Sequence, residues 1–146
     1  MVEQRPLSGI QVVSLEQAAA APLCTRRLAL AGADVIKIER PEGDFARNYD
    51  SAVFGESSYF VWLNAGKKSV VLDLKDEEGL SQLKALIDRA DVLVQNLKPG
   101  ALGSLGIDLD DLHSAKPELI SVSITGFHPD GPGANRKAYD LLMQAE

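Results

Sequence analysis

GIQVVSL at residues 9–15 and ADVIKIE at residues 33–39 are the two stretches that decide the fold. Both are short and rich in Val and Ile, which favour β-strands. Between them, residues 22–31 carry helix-forming side chains and are followed by Gly32, a residue type common just after a helix. The chain therefore opens with a predicted strand, helix and strand, which is the unit that builds parallel sheets.

The same alternation continues along the rest of the chain. Strands are predicted at residues 69–74, 91–96 and 119–125, and helices at residues 58–63, 75–89 and 109–115 and from Tyr139 onward. This pattern predicts one α/β domain over residues 1–146, with a Rossmann-like, doubly wound and mainly parallel sheet. Such sheets bind ligands beyond the carboxyl ends of their strands, so the residues that follow strands are the candidates for a site.

Composition argues against several classes of partner. A formal net charge of -6 disfavours nucleic acid and anionic membranes, because both attract a surplus of Lys and Arg. No stretch has the roughly 20 apolar residues that a membrane helix needs. Cys24 is the single cysteine, so no internal disulfide forms, and a reducing cytoplasm is the expected compartment.

Four cationic residues follow predicted strands or lie in the loop after the last one. They are Arg40, Lys75, Lys98 and Lys137. Each alone is an ordinary surface charge, but together at one sheet edge they would suit a phosphorylated ligand. Charge-assisted hydrogen bonds to phosphate contribute roughly 1.5–3 kcal/mol each. We therefore predict that these four side chains converge in one pocket.

Other ligand motifs are missing. The first strand is not followed by the GxGxxG turn of dinucleotide-binding proteins, which disfavours NAD although Glu39 closes the second strand. GKKS at residues 66–69 precedes a strand and lacks the first glycine of a P-loop. Asp108, Asp110 and Asp111 are interpreted as a helix start, and His128 has no companion ligand, so no metal site is predicted.

Several longer tracts resemble the class III coenzyme A transferases, the family that includes carnitine-CoA transferase, formyl-CoA transferase and α-methylacyl-CoA racemase. The clearest is LAGADVIKIERP at residues 30–41. The others are residues 7–10, 21–22, 64–69, 72–75, 91–100 and 125–127. The resemblance covers essentially the whole chain in the family's order. It implies that the chain is the amino-terminal part of a large CoA-binding domain, in a longer protein that forms interlocked homodimers.

The resemblance also implies a set of CoA contacts. CoA or an acyl-CoA is then a substrate, a small carboxylic acid is the second substrate, and no permanently bound cofactor is expected. The matching positions are Ala19, Ala20, Arg40, Leu72, Asp73, Leu74, Lys75, Asn96, Leu97, Lys98, Lys137, Ala138, Tyr139 and Asp140.

The family's transferases use an aspartate that attacks the donor thioester and then carries CoA as an enzyme-bound thioester. The resemblance places that aspartate beyond residue 146, so this segment alone is expected to be inactive. Asp140 matches a second acidic position, for which the resemblance implies polar assistance or proton transfer. Its alternative role is that of an acid at the start of a helix, stabilised by the helix dipole.

Departures from the family's patterns bear on the branch. Tyr139-Asp140 replaces the His-Asp of the racemases, and Ala19 and Ser104 replace a glutamine and an arginine of formyl-CoA transferase. Residues 15–24, 44–47 and 59–64 are most similar to transferases of dicarboxylic acids. Two alternatives stay open. One is a racemase or epimerase that uses Asp140. The other is a non-catalytic CoA-binding or assembly module in which residues 44–68 and the helix from Tyr139 onward present apolar surface to another chain.

Overall fold

A computed structural model describes residues 5–128, 130–134, 136 and 138–145, with the side chains of residues 140–142 outside the description. Five parallel strands form one sheet in the order β3-β2-β1-β4-β5. The strands are β1 (Gln11–Leu15), β2 (Asp34–Glu39), β3 (Lys68–Val71), β4 (Val92–Gln95) and β5 (Ile120–Ser123). The strand order reverses between β1 and β4, so the carboxyl edge has its switch point there.

The helices confirm the predicted alternation. They are α1 (Ala20–Leu30), α2 (Ser58–Asn64), α3 (Glu77–Arg89), α4 (Ala101–Ser104), α5 (Leu109–Ala115) and α6 (Asp140–Ala145), with a 3-10 turn at Phe45–Asn48. The start of α1 lies two residues before the predicted one. Pro22 therefore lies in the first turn of α1. A backbone N–H there would have no partner within the helix, so its absence in proline costs no hydrogen bond.

The strands are shorter than predicted, and the early end of β3 matters most for the site. β3 ends at Val71, and residues 72–75 form a loop instead of continuing the strand. The carboxylate of Asp73 accepts a hydrogen bond from the backbone N–H of Lys75 at 3.0 Å, and this local bond competes with strand pairing. The loop carries four of the candidate ligand contacts, so its departure from the sheet shapes the site described below.

Apolar side chains cover both faces of the sheet, as a doubly wound fold requires. On one face, Val13 and Leu93 pack with Leu83 and Ile87 of α3. On the other, Val12, Val35 and Val94 pack with Ala21 and Ala29 of α1. The sheet is therefore the middle layer between two apolar clusters.

The acidic run near residue 110 is a helix cap. Asp108 accepts hydrogen bonds from the backbone N–H groups of Asp110 and Asp111 at 2.8 and 3.1 Å, which fixes the start of α5. Within the described ranges no group of His, Cys, Asp and Glu side chains is arranged to hold a metal ion. No helix in those ranges has the length and apolar character needed to cross a membrane.

Candidate functional site

A cleft of about 280 Å³ opens at the carboxyl edge of the sheet, where the loops after four strands meet. It is lined by residues that follow β1, β2, β3 and β4, together with Leu15 at the end of β1 and Ile38 near the end of β2. The lining residues are Leu15, Glu16, Gln17, Ile38, Arg40, Pro41, Glu42, Leu72, Asp73, Leu74, Lys75 and Leu97. This is the edge at which parallel α/β sheets bind their ligands.

The cleft has an apolar floor and a charged rim. Leu15, Ile38 and Leu72 are buried beneath it, whereas Arg40 and Lys75 are exposed at its edge. The Nε atom of Arg40 donates to the carbonyl of Gly43 at 3.0 Å, which ties the guanidinium to its own loop. A ligand with an anionic part and an apolar part therefore meets both kinds of surface in one place.

The rim is not uniformly positive. Glu42 lies 3.9 Å from the Nε atom of Arg40, and the carboxylate of Asp73 lies in the same loop as Lys75. Because all four side chains are solvated, these acids lower the local positive potential only partly. The two cations are therefore the groups at this rim that offer hydrogen-bond donors to an anion.

The loop that carries Lys75 is held close to α3. A Cβ atom added at Gly79 would overlap the carbonyl of Asp73, so only glycine lets the first turn of the helix approach this loop. Asp76 caps α3 by accepting from the N–H of Gly79 at 2.6 Å. Gly79 thus allows the loop that carries Lys75 to lie against α3. No sequence motif indicates this role.

Six of the residues proposed as CoA contacts line the cleft. They are Arg40, Leu72, Asp73, Leu74, Lys75 and Leu97. Two of the four candidate cations, Arg40 and Lys75, thus lie at the same rim. Lys98 is exposed but is not among the lining residues, because the chain turns from Lys98 directly into α4.

The other candidate contacts lie near the cleft or beyond it. Asn96 adjoins Leu97, but its side-chain amide is bonded to the backbone of Gln17. Ala19 precedes α1 and Ala20 begins it. Ala138 and Tyr139 are exposed ahead of α6, Lys137 lies outside the described residues, and Asp140 begins α6 with its side chain outside the description.

A buried cluster of charges supports the cleft from below and was not anticipated from the sequence. The Nζ atom of Lys37 lies 2.6 Å from Asp44 Oδ2 and 3.8 Å from Glu16 Oε1. Lys67 Nζ lies 2.6 Å from the same Glu16 oxygen. Asn64 Oδ1 accepts from both lysines, at 3.1 and 3.0 Å. The two carboxylates and two ammonium groups balance, as buried charges must.

This cluster explains what Lys67 does in the GKKS tract. Burial lowers the pKa of Lys67, and the adjacent carboxylate of Glu16 opposes that shift. Lys67 also donates to the carbonyl of Pro22 at 2.9 Å, which ties α1 to the turn before β3. Lys67 is therefore a structural residue that helps to fix the loop after β1.

Glu39 is a second buried acid and is not available to a ribose. Both of its carboxylate oxygens are engaged by Arg47, at 2.9 and 2.8 Å, and Ser69 donates to it at 2.6 Å. Burial by itself raises the pKa of Glu39, but the hydrogen bonds from Arg47, Ser69 and the N–H of Asp44 outweigh it and lower the pKa to about 2. Glu39 thus anchors the loop of residues 40–47 that carries Arg40.

A separate aromatic surface lies on the segment between β2 and β3. Phe45, Tyr49, Tyr59 and Trp62 follow one another with ring-centroid separations of 5.9, 5.7 and 5.7 Å. All four are partly exposed, with Tyr49 and Trp62 about half exposed at 52% and 47%. We call these four residues the aromatic row. On α2, which carries Tyr59 and Trp62, the side chains of Phe60 and Leu63 are buried, as expected for a helix with one buried face.

Comparison with known proteins gives a consistent result. The family described as CoA-transferase family III matches residues 7–146. Human succinyl-CoA:glutarate CoA-transferase is 37% identical over 143 residues, which is 97% of this chain and 33% of that protein. Formyl-CoA:oxalate CoA-transferase of Escherichia coli O6:H1 is 41% identical over 142 residues, 96% of this chain and 34% of that protein.

A solved structure has the same fold. The crystal structure of the hypothetical protein Rv3272 from Mycobacterium tuberculosis superposes with a TM-score of 0.88 at 38% identity, covering 97% of this chain and 39% of that chain. The curated description of Rv3272 is a probable fatty acyl-CoA transferase. The chain thus spans between a third and two fifths of the length of these relatives.

Proposed function

This chain belongs to CoA-transferase family III, and from that premise we propose that its cleft binds the phosphorylated end of coenzyme A. The observation that carries the proposal is the meeting of Arg40 and Lys75 at the rim of a cleft whose floor is apolar. Phosphate groups accept hydrogen bonds from the two cations, while the adenine and the pantetheine arm contact Ile38, Leu72 and Leu97.

We propose further that the complete protein is an enzyme that moves CoA from an acyl-CoA thioester to a carboxylic acid. The nucleophile of that reaction is expected beyond residue 146, as the family resemblance implies. The described residues supply binding and orientation, so the chain of 146 residues is expected to bind CoA without completing a turnover.

Dicarboxylic acids are the substrate class that we favour. Two relatives are described as transferases that act with glutarate or oxalate, both dicarboxylic acids. The departures at Ala19 and Ser104 separate this chain from the formyl-CoA branch, which favours the succinyl-CoA:glutarate type over oxalate. We place the protein in the cytoplasm, as the single cysteine suggests.

Assembly into a homodimer is part of the proposal. The aromatic row supports it, because four adjoining, partly exposed rings on one segment are a larger apolar surface than scattered side chains would give. This observation also favours the alternative in which residues 44–68 serve assembly. The racemase alternative depends on Asp140, whose side chain is outside the described residues, so no observation favours it.

Titration calorimetry with CoA tests the proposed site. Arg40→Ala and Lys75→Ala should each weaken CoA binding by about tenfold or more, since each removes a charge-assisted hydrogen bond to phosphate. Lys68→Ala is the matched control, because it removes an exposed cation paired with Asp34 at the opposite, amino edge of the sheet. The proposal would be overturned if all three variants bound CoA as tightly as the unsubstituted chain does. Absence of CoA binding by the unsubstituted chain would overturn it too.

A further inference from the structure

The turn after β1 contributes one polar side chain that is free to bind a ligand. Glu16 and Gln17 both line the cleft. The Glu16 carboxylate is fully engaged, by Lys67 and by the hydroxyl of Thr25, each at 2.6 Å. Within the part of the chain that the structure describes, the half-buried side-chain amide of Gln17 has no hydrogen-bond partner. Its donor and its acceptor are both available to a molecule in the cleft.

Asn96 holds the backbone of Gln17 from one side. Its Oδ1 atom accepts from the N–H of Gln17 at 2.9 Å, and its Nδ2 atom donates to the carbonyl of Gln17 at 2.9 Å. Both ends of the Asn96 amide are thereby used inside the protein. At Asn96, a position that the family resemblance matches to a CoA contact, the side chain thus holds the neighbouring turn.

Asp44 holds the next residue from the other side. Its Oδ1 atom accepts from the N–H of Ala18 at 3.1 Å, while its Oδ2 atom is fixed by Lys37 at 2.6 Å. Ala18 has a φ of 60°, a left-handed conformation that residues with a Cβ seldom adopt. Three consecutive backbone groups of the turn are thus fixed by side chains from two different loops. A turn fixed in this way needs no ordering of its backbone when its side chain binds a ligand.

Strand order sets where Gln17 lies relative to the two cations. It follows β1, whereas Arg40 follows β2 and Lys75 follows β3, and these three strands are neighbours in the sheet. Adjacent strands are about 4.8 Å apart, so Gln17 lies roughly one strand spacing from Arg40 and two from Lys75. In CoA the pantetheine arm, which contains two amide groups, is joined directly to the diphosphate. An arm that leaves phosphates at the rim in the direction of β1 therefore passes Gln17.

We infer that the side-chain amide of Gln17 hydrogen-bonds an amide of the pantetheine arm, and that Asn96 and Asp44 are positioning residues that fix Gln17 for this contact. An amide side chain offers an NH₂ donor group and a carbonyl acceptor, which complement the carbonyl and the N–H of an amide in the ligand. The inference rests on the proposed function, because it takes CoA to be the ligand of the cleft. It adds a specificity for the arm, separate from the recognition of phosphate.

Two ligands distinguish the contact with the arm from the rest of the site. CoA contains the pantetheine arm, and adenosine 3′,5′-bisphosphate contains the nucleoside with two of its phosphates but no arm. Calorimetry on the full chain should give Gln17→Met an affinity for CoA about tenfold below that of the unsubstituted chain. The affinity for the bisphosphate should stay within about twofold, because Met fills similar space and removes only the amide.

The positioning role has its own variant. Asn96→Asp keeps an acceptor for the N–H of Gln17 but replaces the donor to its carbonyl by a second acceptor. It should show the same selective loss of CoA affinity, with the bisphosphate again unaffected. A residue important only for folding would weaken both ligands alike. Lys68→Ala at the amino edge is the control that should change neither affinity.

The results separate the two proposals. If the unsubstituted chain binds neither ligand, the proposed function fails and this inference fails with it. If it binds CoA but Gln17→Met binds CoA as well as the parent, or loses both ligands equally, the assignment of Gln17 is wrong while the CoA site stands. If only Asn96→Asp lacks the selective effect, Asn96 is not a positioning residue.

Discussion

Lys37 and Asp44 form an ion pair of 2.6 Å that is almost completely shielded from water, with side-chain exposures of 1% and 0%. Lys37 comes from the middle of β2, and Asp44 lies five residues beyond the end of that strand, so the pair folds the following loop back over the sheet. Asp44 also accepts from the N–H groups of Ala18 and Ala46. One carboxylate thereby joins the loop after β1 to the loop after β2, and both loops line the cleft.

Lys37→Met should be strongly destabilising. The substitution leaves Asp44 buried without its cation, and breaking a buried pair in this way costs on the order of 3 kcal/mol. Lys68→Met, which breaks the exposed pair with Asp34, should cost at most about 1 kcal/mol. Urea unfolding followed by circular dichroism measures both. Equal losses in the two variants would contradict the structural role assigned to the buried pair.

Acid should destabilise the protein through Glu39. Its pKa in the folded state is lowered to about 2 from an ordinary value of 4.5, so the folded state holds this proton less tightly than the unfolded state does. The stability that results is fully present above about pH 4.5 and is lost as the pH falls from there towards 2. The whole shift corresponds to about 3 kcal/mol.

The variant Glu39→Gln isolates this contribution. It should be less stable than the unsubstituted chain at pH 6, and the difference should shrink as the pH falls to 3. Free energies of unfolding in urea at pH 6, 4 and 3 give the comparison. Asp50, whose pKa is also lowered to about 2, is present in both proteins and cancels in the difference. A constant difference across this range would show that Glu39 carries no linked proton.

The elements of the fold were predictable because their signals are local. Runs such as residues 33–39 identify strands by composition, and the residues that follow them identify the edge where a ligand binds. The order of the strands is not a local property, because it depends on pairing between distant segments. A doubly wound sheet implies a reversal, but its position between β1 and β4, which places Gln17 in the cleft, came only from the structure.

The site shows the same limit at the level of single residues. Lys75 and Lys98 both follow strands, yet only Lys75 lines the cleft, since the loop after β3 is folded against Gly79 and the loop after β4 turns into α4. Lys37 lies within an apolar run, and its partner becomes apparent only when the loop carrying Asp44 folds back. A side chain's type could be read from the sequence, but the group that it faces could not.

Ala18 should respond to glycine in the opposite way from an ordinary alanine. Its φ of 60° strains a residue with a Cβ by roughly 1–2 kcal/mol, which outweighs the backbone entropy lost with glycine, about 0.5–1 kcal/mol. Ala18→Gly should therefore raise the free energy of unfolding slightly. Ala31→Gly is the control, because Ala31 has an ordinary φ of -78° and should be destabilised by the substitution. A loss of stability in both variants would indicate that the strain at Ala18 is negligible.

The aromatic row should govern self-association of the chain. Tyr59 and Trp62 lie on the exposed side of α2, with rings 5.7 Å apart, and a second copy that covered them would bury two large apolar surfaces. Sedimentation velocity should show association that increases with concentration, and the double substitution Tyr59→Ser and Trp62→Ser should shift the protein to monomer.

The control is a double substitution on the two outer strands. Val71→Ser with Ile120→Ser removes exposed apolar side chains there and should leave association unchanged. If both double variants associate like the unsubstituted chain, another surface makes the contact. If only the strand variant dissociates, the sheet edges make it instead of the aromatic row.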